Sequence, residues 1–254
     1  MRRSKRRKTS VKSYSETEMA NKFDIRDDNK ASTITKIGYK KGPTCDVYEK
    51  RESIPLRCKK TGVLLFKDHP EFRPNLTPKE VLQAGSFGGT YFRPIYSSVT
   101  GKSYKDVHKE FPEDWFKGLN MKRQVTRSTY DKGINKYGVK CGGDLHMWES
   151  SGWISDIDPY GWFQWYCRFY MGRRSSDDAR QISRGNGVAG VKGRFRNQLI
   201  GRCSRARKCF DDVSISPVIR QALLHWGYEL TEKDADIYTS RKRIPKLPRK
   251  KKSD

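Results

Sequence analysis

The largest apolar side chains of this 254-residue chain are concentrated in residues 158–172. Aromatic residues recur there at the three- and four-residue spacing of one helix face, and a second stripe lies beside the first. The two stripes consist of Trp162, Trp165 or Tyr166, and Phe169, and of Phe163, Cys167 and Tyr170. Because they leave little of the helix for water, the pattern predicts a buried central helix on which the other elements pack.

The bounds of this central helix are predicted from the residues at its two ends. Asp158 is a residue type that accepts hydrogen bonds from first-turn N–H groups, and Pro159 suits the first helical position. Gly172 can adopt the left-handed conformation that ends a helix. We therefore expect the helix to begin at Pro159 and to end just before Gly172.

Start and stop signals predict further helices on either side of the central one. Thr77 and Glu80 form a capping box around Pro78, which is placed at the first helical position. The predicted helices cover about residues 78–84, 103–111, 145–151, 176–184, 194–207 and 217–226. A glycine-rich stretch, residues 185–193, is predicted to be a hinge between two of them.

The N-terminal part of the chain has a different pattern. In residues 44–65, short apolar runs are separated by Pro55 and by a turn at Thr61 and Gly62, which is typical of a small hairpin. The predicted fold class is therefore α+β, mostly α, with a helical C-terminal half. We expect one aromatic-rich domain at residues 41–235, flanked by basic disordered arms at residues 1–40 and 236–254.

Charge adds a functional prediction. The chain has 54 Lys and Arg against 29 Asp and Glu, a formal net charge of +25. Arginine is crowded into the segment after the central helix, and guanidinium groups suit phosphate geometry, so the segment predicts a nucleic-acid-binding surface. The residues assigned to that surface are Arg173, Arg174, Arg180, Arg184, Lys192, Arg194, Arg196 and Arg202.

Two details of this surface have alternatives. The arginines could instead be a solvated helix face paired with Asp177, Asp178, Asp211 and Asp212, but these acids are too few for all of them. Arg173 and Arg174 precede the next helix N-terminus, so we expect them to form an anion pocket whose loss lowers affinity at little cost in stability.

The rings of the central helix also have two interpretations. Trp162, Trp165 and Tyr166 could stack on nucleic-acid bases if they are exposed. Their helical spacing already explains them as core residues, which is the favoured interpretation.

Targeting and cysteine usage limit the remaining choices. The basic run at residues 2–8 is similar to a nuclear-import signal, which predicts a nuclear location, or a virion nucleoprotein if the chain is viral. No secretory signal or span of transmembrane length is visible, so no membrane partner is expected. The six cysteines contain no C-x-x-C pair and are predicted to be free thiols, and neither a metal site nor a cofactor is predicted.

Four stretches of the chain resemble a known family. Residues 85–95, 135–139, 158–170 and 216–221, which include the sequences GSFGGTYFRPI, NKYGV and DPYGWFQWYCRFY, are similar to a family of eukaryotic and large-DNA-virus proteins. The resemblance implies a shared domain over about residues 66–230 and implies no particular reaction.

Three function classes follow. DNA or RNA binding is the leading hypothesis, since the Arg-rich segment and the basic arms supply a salt-dependent attraction to phosphates. The second class is an enzyme acting on nucleic acid, either glycosylase-like or nuclease-like. Its candidate acids and bases are Asp144, His146, Glu149, Asp156, Asp158, Asp177, Asp178 and His225. The third is a structural component of a nucleoprotein particle.

Overall fold

The computed structural model describes residues 42–249. As the hydrophobic pattern predicts, it is mixed α+β and mostly helical, with 39% helix and 7% strand. The helices are α1 (Pro78–Gln83), α2 (Met121–Gln124), α3 (Leu145–Ser150), α4 (Trp162–Tyr170), α5 (Asp178–Ala189), α6 (Arg194–Arg205), α7 (Pro217–His225) and α8 (Glu232–Lys242). The strands are β1 (Val47–Tyr48), β2 (Leu56–Arg57), β3 (Leu64–Leu65), β4 (Ile95–Ser97), β5 (Lys102–Tyr104) and β6 (Arg174–Ser175).

The strands form small antiparallel pairs. β2 pairs with β3 across the turn that contains Thr61 and Gly62, so the predicted hairpin is confirmed. β4 pairs with β5. β1 pairs with β6, with Val47 opposite Ser175, so the N-terminal part is joined to the chain that leaves α4.

The central helix α4 is confirmed, but its predicted start was wrong. The helix begins at Trp162, after Gly161, which has φ +84° and precedes the first helical residue. Asp158 does not cap it, because its carboxylate is buried in an ion pair described below. The predicted end is correct: Gly172 follows the helix with φ +92°.

Local capping signals placed three other helices correctly. Thr77 and Glu80 form the predicted capping box at α1. The carboxylate of Asp144 accepts a hydrogen bond from the backbone N–H of Met147 at the start of α3. Pro217 opens α7. At α1 and α3 the capping side chain and its partner are within three residues of each other, so no tertiary contact is needed to form the cap.

Two other predicted elements differ from the structure. Residues 103–111, predicted to be helical, contain the end of β5 and a 3-10 turn at Val107–Glu110. The predicted hinge at residues 185–193 begins inside α5, which continues to Ala189. Position 185 of this helix favours glycine, because a Cβ there would lie only 3.2 Å from ring atoms of Phe72 and Trp162. Close packing therefore explains this glycine.

The predicted domain boundary at residue 235 falls inside a helix. α8 runs from Glu232 to Lys242, begins with a capping box formed by Thr231 and Asp234, and buries Thr239 completely. The chain predicted as a disordered arm is thus helical to Lys242. The other arm, residues 1–40, and residues 250–254 lie outside the described part of the chain.

The core consists of two apolar clusters that share one side chain. The first surrounds α4 and includes Phe72, Phe92 and Leu224. The second lies among the end of α5 and helices α6, α7 and α8, and includes Leu199 and Leu223. Trp226 packs against both clusters. None of the helices formed by residues 42–249 is both long and apolar enough to cross a membrane.

Candidate functional site

The two arginines that follow α4 are buried in ion pairs. Arg173 donates to both carboxylate oxygens of Asp158, from Nη1 at 2.8 Å and from Nη2 at 2.5 Å. Arg174 donates to both oxygens of Asp68, at 2.6 and 3.0 Å, with its guanidinium carbon 3.9 Å from the ring centre of Phe169. Each arginine is 6% exposed. The prediction that they form an anion pocket on the surface was therefore wrong.

Arg196 and Arg180 also have carboxylate partners. Arg196, 8% exposed, donates from Nη2 to Asp234 and lies over the ring of Tyr228. Arg180 donates from Nε and Nη2 to the two oxygens of Asp177, at 2.5 and 2.8 Å. Buried guanidinium groups require paired acceptors, and these acids supply them. Arg196 is thus removed from the predicted surface, and Arg180 is neutralised locally.

Trp165 and Tyr166 are fully buried and cannot stack on a base. The Trp165 indole N–H donates to Asp178 at 2.8 Å, and the Tyr166 hydroxyl donates to the backbone oxygen of Leu76 at 2.6 Å. Asp178 also accepts hydrogen bonds from the backbone and the hydroxyl of Ser175. The carboxylates of Asp177 and Asp178 are therefore hydrogen-bond acceptors for groups of the fold itself.

Two adjoining cavities in the described chain form a concave site, which we call the aromatic cleft. Their volumes are about 730 Å³ and 360 Å³, and both are lined by Cys141, Gly142, Trp153, Arg184, His225 and Trp226. The larger cavity is lined by Phe87, Tyr91, Tyr130, Trp148, Trp153, Tyr160, Trp162, Phe163 and Trp226. Its basic lining residues are Arg93, Lys132, Lys140 and Arg184, and its acidic one is Asp144.

Backbone turns hold the aromatic side chains around this cleft. The Tyr130 hydroxyl accepts hydrogen bonds from Asn135 at 2.6 Å and from the backbone N–H of Cys141 at 3.0 Å. Its ring packs directly on Gly88, where a Cβ would lie 2.6 Å from ring atoms. Gly88 has φ +56°, so both the space and the backbone conformation favour glycine there. Gly88 therefore serves aromatic packing.

Arg184 is the basic group most enclosed by the cleft wall. Its guanidinium carbon lies 5.5 Å from the ring centre of Trp153 and 5.7 Å from that of Trp226. Nη1 donates to Gln181 Oε1 at 2.9 Å and to the Trp153 backbone oxygen at 3.3 Å. Burial lowers the pKa of Arg184 to about 10. Among residues 42–249 it has no carboxylate within ion-pair distance, unlike Arg173, Arg174, Arg180 and Arg196.

His225 supplies a neutral ring to the wall. Its Nε2 accepts a hydrogen bond from the backbone N–H of Phe87 at 2.9 Å, and the two rings stack with centres 4.1 Å apart. Burial lowers the pKa of His225 to about 3. At neutral pH the ring is therefore uncharged, and since Nε2 is an acceptor, the proton is on Nδ1.

This buried histidine predicts acid sensitivity. The unfolded chain binds a proton at His225 below about pH 6.5, whereas the folded chain does not until about pH 3. Stability is thus lost as pH falls, and between pH 7 and pH 5 the free energy of unfolding should drop by about 2 kcal/mol. Urea unfolding at several pH values will measure this, and His225→Gln should flatten the profile. Identical profiles for both proteins would contradict the assignment.

The structure sorts the sequence-predicted residues into three groups. Trp162, Arg184 and Arg194 line the aromatic cleft. Lys192 is exposed just before α6, and Arg202, on α6, donates to the Ser216 hydroxyl at 3.0 Å. The remaining predicted residues are internal or, in the case of Arg180, paired.

Sequence reasoning missed most of the cleft-lining rings. Tyr130, Trp148, Trp153 and Trp226 were not among the predicted site residues. A signal was present, because Trp153 and Trp226 lie next to Gly152 and Gly227, which have φ +71° and +66°. A large ring beside a left-handed turn, at the end of a helical segment, leaves the periodic core face and can line a cleft instead.

Comparisons with protein-family models, with curated proteins and with solved structures gave no match. The family resemblance seen in the motifs stays an expectation, and the function is inferred from the geometry of the aromatic cleft.

Proposed function

We propose that the protein binds nucleic acid and that the aromatic cleft accepts an unpaired nucleotide. The observation that carries this proposal is Arg184, an enclosed guanidinium that lies between two tryptophan rings and has no acidic partner among residues 42–249. A half-buried cation without a carboxylate at ion-pair distance favours an anionic ligand, and the surrounding rings favour a planar one. A nucleotide has both properties.

The donors of Arg184 suit a phosphate. Nη1 is bonded to Gln181 and Trp153, which fixes the plane of the group. Among the described residues, Nε and Nη2 have no hydrogen-bond partner, so one edge of the guanidinium is available to two oxygens of a ligand. Trp153, 39% exposed, offers a ring at the same place on which a base can stack.

Charge favours a polymer over a free nucleotide. Residues 42–249 have 38 basic and 23 acidic side chains, so the folded part is basic even without the arms. The rim of the cleft includes the exposed Lys132 and Arg194. Several cations around one base-sized cleft can contact phosphates on both sides of the bound nucleotide.

The cleft favours binding over catalysis. Of the acids and bases predicted for an enzyme, Asp144 and His225 line it. Asp144 caps α3, and His225 is held neutral against Phe87. Both therefore have structural bonds. The nuclear location rests on residues 2–8, which lie outside the described chain, and stays a prediction.

Trp153→Ala is expected to weaken binding of a single-stranded oligonucleotide by about 5- to 150-fold, which corresponds to one stacked base at about 1–3 kcal/mol. Fluorescence anisotropy with a labelled 12-mer of thymidylate at fixed salt will measure the loss. Tyr96→Ala is the matched control, because Tyr96 is 63% exposed and does not line the cleft. Equal affinities for the two variants would refute the cleft as the binding site.

A further inference from the structure

One face of α6 leads away from the aromatic cleft and is basic at both ends. Arg194, the first residue of the helix, lines the smaller cavity. Arg205, the last residue, is 11 positions further on, which places it about 20° around the axis and about 16 Å along it. Both side chains are exposed. The two arginines therefore mark the ends of a single stripe.

The charges at the ends of this stripe are not neutralised. Lys192 and Arg194 at the cleft end, and Arg205 and Arg207 at the far end, are exposed and form no ion pair with any residue from 42 to 249. Their neighbour Lys208, in contrast, lies 3.7 Å from Asp212. Four cations at two positions thus remain available to a polyanion.

The part of the stripe between its two ends is also polar and has a further cation beside it. Arg241 of α8 donates to Asn197 Oδ1 at 2.7 Å, which places its guanidinium next to the first turn of α6. Gln198 and Arg202 lie on the exposed side of the helix between the two ends, and Arg202 also bonds to Ser216. The half-buried Tyr238 presents its hydroxyl to this segment at Gly201, and its ring lies under the Arg241 guanidinium. The groups along the segment are therefore mainly polar and charged, which suits a sugar-phosphate backbone.

We infer that the ligand is a single strand, which places one unpaired nucleotide in the aromatic cleft and runs its backbone along α6 from Arg194 to Arg205. This inference rests on the proposed function and adds strandedness, path and length to it. At the duplex spacing of about 3.4 Å per phosphate along one strand, the stripe of about 16 Å covers at most about five phosphates, and a less stacked strand covers fewer. The full site therefore spans up to about six nucleotides.

The test compares oligonucleotide lengths and salt dependence. Wild type, Arg205→Gln with Arg207→Gln, and Trp153→Ala are titrated with labelled thymidylate strands of 2, 6 and 12 nucleotides between 50 and 200 mM NaCl. Each phosphate contact on a single strand contributes about 0.7 to the slope of log K against log salt. The double arginine variant should lose about 1.4 of that slope with the two longer strands and none with the dinucleotide.

Two controls separate position from charge and stacking. Lys59→Gln with Lys60→Gln removes the same charge from exposed residues that do not line the cleft, and it should leave the slope nearly unchanged. Trp153→Ala should weaken binding at every length without changing the slope. A duplex of the same length should bind less tightly than the 12-mer.

The outcomes distinguish this inference from the proposed function. Equal slopes for the arginine pair and the lysine pair, or a duplex bound as tightly as the single strand, would overturn the α6 path. If Trp153→Ala still weakened binding in that case, the cleft would stand without the path. If wild type bound none of the strands, both proposals would fall together.

Discussion

Asp158→Ala is expected to lower the free energy of unfolding by about 3–5 kcal/mol, because it removes the acidic partner of a buried guanidinium. Asp158 is fully buried and accepts two hydrogen bonds from Arg173 and one from Arg168 at 3.0 Å. Without the carboxylate, Arg173 keeps its charge in an environment that excludes water. Urea unfolding at pH 7, followed by tryptophan fluorescence, will measure the change.

Glu110→Ala is the control for this prediction. Glu110 also pairs with Arg168, at 2.7 Å, but its side chain is 34% exposed and the Arg168 side chain 23%. A pair that water can reach should contribute less than about 1 kcal/mol. If Asp158→Ala lowered the free energy of unfolding as little as Glu110→Ala, solvent would have to reach Arg173. Arg173 would then again be a candidate for the predicted nucleic-acid-binding surface.

Trp165→Ala is expected to cost about 3–5 kcal/mol of stability, since it leaves a cavity at the centre of the aromatic cluster. Trp165 is completely buried, and its ring lies 4.8 Å from the ring of Phe169 and 5.6 Å from that of Phe72, centre to centre. The change also leaves Asp178 without its indole donor. Thermal and urea unfolding will measure the loss.

Trp153→Ala is expected to have the opposite effects to Trp165→Ala: it should weaken binding and leave stability nearly unchanged. Trp153 is 39% exposed, so its replacement should change stability by less than about 1 kcal/mol while it weakens binding. At a temperature where Trp165→Ala is still folded, that variant should bind nucleic acid as wild type does. A Trp165→Ala protein that melts normally but binds poorly would reverse the roles assigned to the two rings.

Much of the fold could be predicted because its signals are local. The capping box of Thr77 and Glu80, the cap of Asp144 on Met147 and the glycine after α4 each act within a few residues. Helical spacing in residues 162–170 is likewise contained in the segment itself, so the buried helix was correctly predicted. Local sequence determines these features before any tertiary contact forms.

The fate of the arginines could not be predicted in the same way. Arg174 pairs with Asp68, 106 residues away, and Arg196 pairs with Asp234, 38 residues away. A count of nearby acids therefore underestimated how many of these cations are neutralised. Asp158, only 15 residues from Arg173, was available in the sequence but was assigned to a helix cap. Tertiary pairing overrode the local capping preference at that position.

The aromatic cleft could not be predicted from the sequence either, because it too depends on tertiary packing. Its wall combines Phe87, Tyr130, Trp153, Arg184 and Trp226, which come from distant parts of the chain. Each has an ordinary local explanation as a core or turn residue. Their common orientation depends on how α4, α5 and α7 pack, and single-sequence patterns do not specify that packing.

Trp226 gives the cleft a thermodynamic connection to the rest of the molecule. Its ring packs against both apolar clusters and also forms part of the cleft wall. Local unfolding of either apolar cluster would displace the Trp226 ring and remove part of the cleft wall. Under the proposed function, binding therefore requires both clusters to be folded. If the cleft binds nucleic acid as proposed, bound ligand would protect amide groups in α6 and α7 against exchange as well as those around α4, because mass action suppresses every opening that frees Trp226.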